Sequence, residues 1–74
     1  MDSTTIYVQI LDENVDVWRP VQAVHEGGDR YRILSENAAP DEEHWEFTTG
    51  TVVRCASRRL SDGAALVAIE RADA

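Results

Sequence analysis

The chain has no lysine, a single cysteine (Cys55), two prolines and four glycines among its 74 residues. One cysteine excludes an intramolecular disulfide, and with it the Cys-rich scaffolds of small secreted proteins. With 43% hydrophobic and 28% charged residues, the composition is not that of a disordered or low-complexity chain. The longest apolar run, Ala64 to Ile69, is six residues; a membrane-spanning helix needs roughly 20. The amino terminus, Met1 to Thr5, lacks the basic stretch and apolar run of a signal peptide. The expected location is the cytoplasm.

Catalytic motifs are missing too. No nucleophile elbow, phosphate-binding loop or metalloprotease pattern occurs. A single domain over residues 1–74 hides only about 60% of the surface its unfolded chain exposes. Pockets that enclose a small molecule usually need roughly 300–1,000 Å³. A surface that binds is therefore favoured over a cavity that transforms, and the chain is read as a non-enzyme without a cofactor.

What is present is acid. Fourteen Asp and Glu face seven arginines, a net charge of −7. Residues 1–53 hold eleven acids and three arginines, a net of −8; residues 54–74 hold three acids and four arginines, a net of +1. Such a balance repels phosphate backbones and favours basic partners.

The apolar pattern has the period of strands. Thr4–Leu11 alternates Ile6, Val8 and Ile10 with Thr5, Tyr7 and Gln9. Asp12-Glu13-Asn14 is a turn. A second strand is expected over Asp16–His25, with a bulge at Arg19–Pro20 that brings Trp18 onto the face of Val21 and Ala23. Glu26-Gly27-Gly28-Asp29 marks a hairpin into Arg30–Ser35, with Tyr31 and Ile33 inward and Arg30 and Arg32 outward. Pro40 to Glu43 reads as a turn of helix or irregular chain leading into a short strand at His44–Phe47. Thr51–Leu60 and Ala64–Arg71 form a last pair around Ser61-Asp62-Gly63, the final strand largely buried. Buried positions are expected at Ile6, Val8, Ile10, Val21, Ile33, Val53 and Ile69. The fold class is all-β: a small antiparallel barrel of five to six strands.

The spine Val17-Trp18-Arg19-Pro20-Val21, Ala23, Tyr31-Arg32-Ile33, Trp45-Glu46-Phe47, Gly50 and Val53-Arg54-Cys55 resembles a family of short, uncharacterised bacterial proteins. The resemblance covers most of the chain and brings no functional residues with it. In strand spacing the chain is more distantly similar to SH3-like barrels, including Tudor-type modules that cage methylated lysine or arginine. Such likeness implies a fold and not a function.

Candidate sites are few. Asp12, Asn14 and Asp16 open like a calcium loop, but Val17 stands where the glycine is needed and Ala23 where the glutamate belongs. His25, His44 and Cys55 lack the short spacings of a zinc site, and no metal is expected. Arg30, Arg32, Arg54 and Arg58 fall on outward faces and are read as cross-strand partners of acids, so nucleic acid is not an expected partner. Of the five aromatics, Tyr7 opposes the apolar face of its strand and is the candidate for exposure; the rest are read mainly as core.

The densest acidic patch is Asp41, Glu42, Glu43 and Glu46. These four and Tyr7 are the expected partner-binding residues. The function expected is a protein-interaction module, monomeric, with an acidic and partly aromatic surface for a basic or cationic protein. The alternative is a structural or accessory subunit docked on a larger enzyme.

Overall fold

In the computed structural model, residues 2–15, 17–60 and 63–72 are described. They form six strands and, among the described residues, no helix: β1 Thr4–Leu11, β2 Val17–Gly27, β3 Arg30–Ile33, β4 His44–Trp45, β5 Val52–Leu60 and β6 Gly63–Arg71. The order β2-β3-β5-β6-β1-β4, with β2 also paired to β1, closes five strands into a ring. Every pairing is antiparallel except the closure, where β1 meets β6 in parallel at Tyr7↔Val67. The sheet is thus all-β and ring-like, with one parallel seam in an otherwise antiparallel arrangement.

Alternation along the strands fills the ring. Ile6, Val8, Val21, Ile33 and Val53 are at most 1% exposed and join Ile10, Ala23, Cys55 and Ala68 in one cluster. Trp45 and Phe47 close that cluster, with Val17, Tyr31 and Leu66 packed against it. Burying each Ile or Val contributes about 1.5–3 kcal/mol. No side-chain nitrogen or oxygen among the described residues is buried without a partner.

Three expectations are corrected. The register from Ile10↔Val17 to Thr4↔Ala23 is continuous, so there is no bulge at Arg19–Pro20. Trp18 therefore faces outward with Pro20, while Arg19 shares the parity of Val17 and Val21. The cause is the shortness of β3. It stops at Ile33, opposite Ala23, so Pro20 lies along an open edge where a missing N–H leaves no strand acceptor unpaired. Ile69 is 41% exposed instead of buried. Here the bulge is real: Cys55 pairs with Ala68 and Arg54 with Glu70, leaving Ile69 unpaired between them and turned outward. For the same reason the last strand is only partly buried, at Val67 and Ala68.

The β2–β3 hairpin forms at the expected place. Gly28 has a φ of +56° and Gly27 one of +111°, a conformation that L side chains avoid. Residues 61–62 of the second expected hairpin lie outside the described residues, and the ladder on either side runs to Leu60↔Gly63. Residues 40–43 make one turn before the two-residue β4, as the turn-then-strand expectation has it.

Strand directions sort the molecule into two ends. At the loop end β1 and β3 finish, β2 and β5 begin, and β4 lies beside Leu11. At the other end lie the start of β1, the β2–β3 turn, and the tips of β5 and β6.

Candidate functional site

The loop end is built by the 35–46 segment. Asn37 Oδ1 accepts the N–H of Ala39 at 2.9 Å, and Asn37 Nδ2 donates to the carbonyl of Glu43 at 2.6 Å. Pro40 then opens a single turn in which the N–H groups of Glu42 and Glu43 both donate to the Ala39 carbonyl, at 2.9 and 2.8 Å. That turn carries the Glu43 carboxylate back onto β2, where it meets Arg19 in a two-pronged ion pair with Nε at 3.1 Å and Nη2 on the second oxygen. The Trp45 indole N–H donates to the same carboxylate at 3.0 Å. The Arg19 guanidinium, and then the indole N–H, hold the Glu43 carboxyl below its ordinary pKa.

Arg19, Pro20, Asn37, Ala39, Glu43 and Trp45 border an open cleft of about 380 Å³. Of the five residues expected to bind a partner, only Glu43 lines it. Asp41, Glu42 and Glu46 are exposed, with no ion partner among the described residues. Partial desolvation raises the Glu46 carboxyl above its ordinary pKa although the residue is exposed, and the Glu46 N–H donates to the Gln9 carbonyl at 2.9 Å, prolonging the β1–β4 pairing. Tyr7 lies mid-strand on the outer face, half-buried, between Pro20 of β2 and Val67 of β6. The structure does not bring it into the cleft.

Leu11 and Val15 join the acids at this end, Leu34 stands at the root of the 35–46 segment with its N–H on the Gln22 carbonyl, and none of the three was singled out by sequence. Leu11 is 43%, Val15 72% and Leu34 44% exposed. Val15 had a signal, an aliphatic residue in a polar turn. Leu11 and Leu34 had none, because each continues an apolar pair whose buried member is its neighbour. Asp12, at a φ of +66°, reaches His44 Nδ1 at 2.7 Å and ties the β1–β2 loop to β4.

The remaining candidates are dispersed. His25 Nε2 contacts the Gly28 carbonyl at 2.7 Å and its ring lies 4.9 Å from that of Tyr31. His44 is engaged with Asp12, and Cys55 is buried, its thiol pushed up to about 11 by desolvation and then by Asp29. No group of three His, Cys, Asp or Glu among the described residues is placed to hold a metal ion. Asp16 of the calcium-like spacing lies outside the described residues. Trp45 and Phe47 are core, Tyr31 packs against it, and Tyr7 and Trp18 are half-buried on the outer face.

Of the four arginines read as partners of acids, Arg32 and Arg54 are paired, and Arg30 and Arg58 have no ion partner among the described residues. Arg32 meets Glu26 at 3.0 Å, and Arg54 meets Asp29 at 3.3 Å and Glu70, its cross-strand neighbour, at 3.4 Å. No helix among the described residues is long and apolar enough to cross a membrane. Comparison with protein-family models, curated proteins and solved structures gave no match.

Proposed function

We propose that the chain is a cytoplasmic, non-catalytic protein-interaction module whose loop end receives a basic or otherwise cationic protein. The observation that carries this reading is a coincidence of surfaces. Two exposed large hydrophobics, Leu11 and Val15, stand at the end that also bears the exposed acids Glu13, Asp41, Glu42 and Glu46, and a third, Leu34, leads into the segment that carries the last three of those acids. Apolar contact area supplies the attraction at such a surface, and charge of one sign selects and steers the partner. Glu43 has a different part. Neutralised by Arg19, it fixes the loop that presents its neighbours.

A second reading, a subunit docked on a larger enzyme, finds support in the outer face. Pro20, Tyr7 and Trp18 stand on that face without a charge, Pro20 exposed and the two aromatics half-buried, beside the fully buried Val67. The two readings differ in salt dependence. A partner captured from lysate is remeasured against the purified chain at low salt and at about 0.5 M, where the Debye length is roughly 4 Å. Loop-end binding weakens sharply with salt, with Asp41→Asn/Glu42→Gln/Glu46→Gln, and with Val15→Ser. Binding that ignores all three, and is lost with Trp18→Ser, overturns the loop-end reading and supports the docked subunit.

A further inference from the structure

At the end opposite the acidic loop, β5 outruns its neighbour. β3 accompanies it only from Arg32↔Val52 to Arg30↔Arg54, with a last link from the Cys55 N–H to the Asp29 carbonyl at 2.8 Å. There the β2–β3 chain turns back, while the β5–β6 ladder continues to Leu60↔Gly63. Residues Ala56–Leu60 therefore present an edge with no strand beside it among the described residues.

Antiparallel alternation decides which groups are free. The Cys55 N–H points away from β6, so the main-chain N–H and C=O of Ser57 and Arg59 point the same way, into solvent. Unpaired edges of this kind are templates for an added strand, and many proteins guard them with charge. Here the guards are Arg58 and Arg59, consecutive and so on opposite faces of the ribbon. Both are exposed and neither has an ion partner among the described residues. Glu70 and Asp29, acids of the adjoining strand and turn, are engaged by Arg54.

We propose that the Ala56–Leu60 edge accepts an extended acidic segment of another protein as an added strand. Ser57 and Arg59 hydrogen-bond to its main chain, and Arg58 and Arg59 each take a carboxylate from one of two consecutive acids, one on either face. Charge complementarity defines this occupant. A second copy of the same edge sets arginine against arginine, and a basic segment meets the same repulsion. Among the described residues, the acids on the strand and turn adjoining this edge, Glu70 and Asp29, are already engaged by Arg54, and the unpaired acids Asp41, Glu42 and Glu46 belong to the loop end. This inference concerns the other end of the ring and does not rest on the function proposed above.

The test uses the full isotope-labelled chain and a short synthetic peptide with a central Glu-Glu pair flanked by Thr and Val. Binding is followed by amide shifts and amide hydrogen exchange. Expected are shifts centred on residues 56–60 and slowed exchange at Ser57 and Arg59. Affinity falls at least roughly tenfold when the central pair is Lys-Lys or when Arg58→Glu/Arg59→Glu is introduced. A peptide carrying proline at the hydrogen-bonding positions loses binding while the protein stays unaltered, so the result does not depend on a variant folding. Equal binding of the Glu-Glu and Lys-Lys peptides, shifts centred elsewhere, or no binding at all overturns the proposal. Displacement of the peptide by single-stranded DNA at equal concentration also overturns it, in favour of a phosphate-binding ribbon.

Discussion

The two ends of the ring treat charge differently. At the hairpin end, Arg32 and Arg54 find Glu26, Asp29 and Glu70 on neighbouring strands or in the tight turn, because β pairing itself sets those side chains side by side. At the loop end one ion pair, Arg19–Glu43, spans 24 residues of sequence and depends on a turn built by Asn37, Ala39 and Pro40. Asp12 there meets His44, and Glu13, Asp41, Glu42 and Glu46 have no ion partner among the described residues. A sheet satisfies its charges as a consequence of register; a loop satisfies only those its own turn can aim. The loop end is accordingly where acid is left over for a partner, as Arg58 and Arg59 are left over where β5 has no neighbouring strand.

The largest effect expected is common to both ends. Ile33, 1% exposed, packs in the shared core at the point where β3 hands over to the loop. Ile33→Ala should cost roughly 2–5 kcal/mol in denaturant unfolding, and a domain of this size has only about 3–5 kcal/mol to lose. Unfolding of one end with the other intact would break the picture of a single core.

Next comes the hairpin end. Gly27 has a φ of +111° with open space around the position of a Cβ, so the penalty for Gly27→Ala is conformational and not steric crowding. Its expected size is about 1–3 kcal/mol, read from the same denaturation curves. A neutral substitution would mean that the tight turn does not set the register of β2 on β3.

The acid limb of stability separates the two kinds of ion pair. Arg19 and the Trp45 indole hold Glu43 below its ordinary pKa, and Arg32 does the same for Glu26. Both carboxylates therefore bind protons more readily in the unfolded chain. Their contribution is present above the unfolded pKa and is lost as pH falls through the folded one, below the ordinary carboxylate range. Glu43→Gln should flatten this limb and lower the melting temperature at neutral pH. Glu26→Gln should flatten the limb with a smaller loss, since no buried indole depends on Glu26. Equal losses from the two would remove the distinction between a loop-building pair and a register pair.

The smallest effect is expected at the two residues just before Glu43. Asp41→Asn/Glu42→Gln should leave the melting temperature unchanged, because solvated loop charges do little for stability. A melting shift as large as that of Glu43→Gln would show that these acids, too, are spent on the fold.

Much of the fold was legible locally. β1 occupies the expected residues because strict alternation from Thr4 to Leu11 admits one reading. The β2–β3 turn falls at Gly27–Gly28 because only glycine takes those φ values without strain. The candidate site was legible as a patch of acids and not as a mechanism. Asp41, Glu42, Glu43 and Glu46 look alike in sequence, yet one of them is committed to Arg19, and that commitment depends on a strand laid down more than twenty residues earlier.

What the sequence determined by itself was therefore the period of each strand, the site of the β2–β3 hairpin and the excess of acid in residues 1–53. These depend on neighbours within a few positions, and side-chain periodicity and backbone φ are short-range properties. Tertiary pairing alone decided that Pro20 needs no bulge, that Ile69 turns outward, that Glu43 differs from its neighbours and that β5 ends in an open edge. Each of these depends on how far one strand extends relative to another. Strand length at a sheet edge is fixed by what packs beside it, and no window along the chain contains that information.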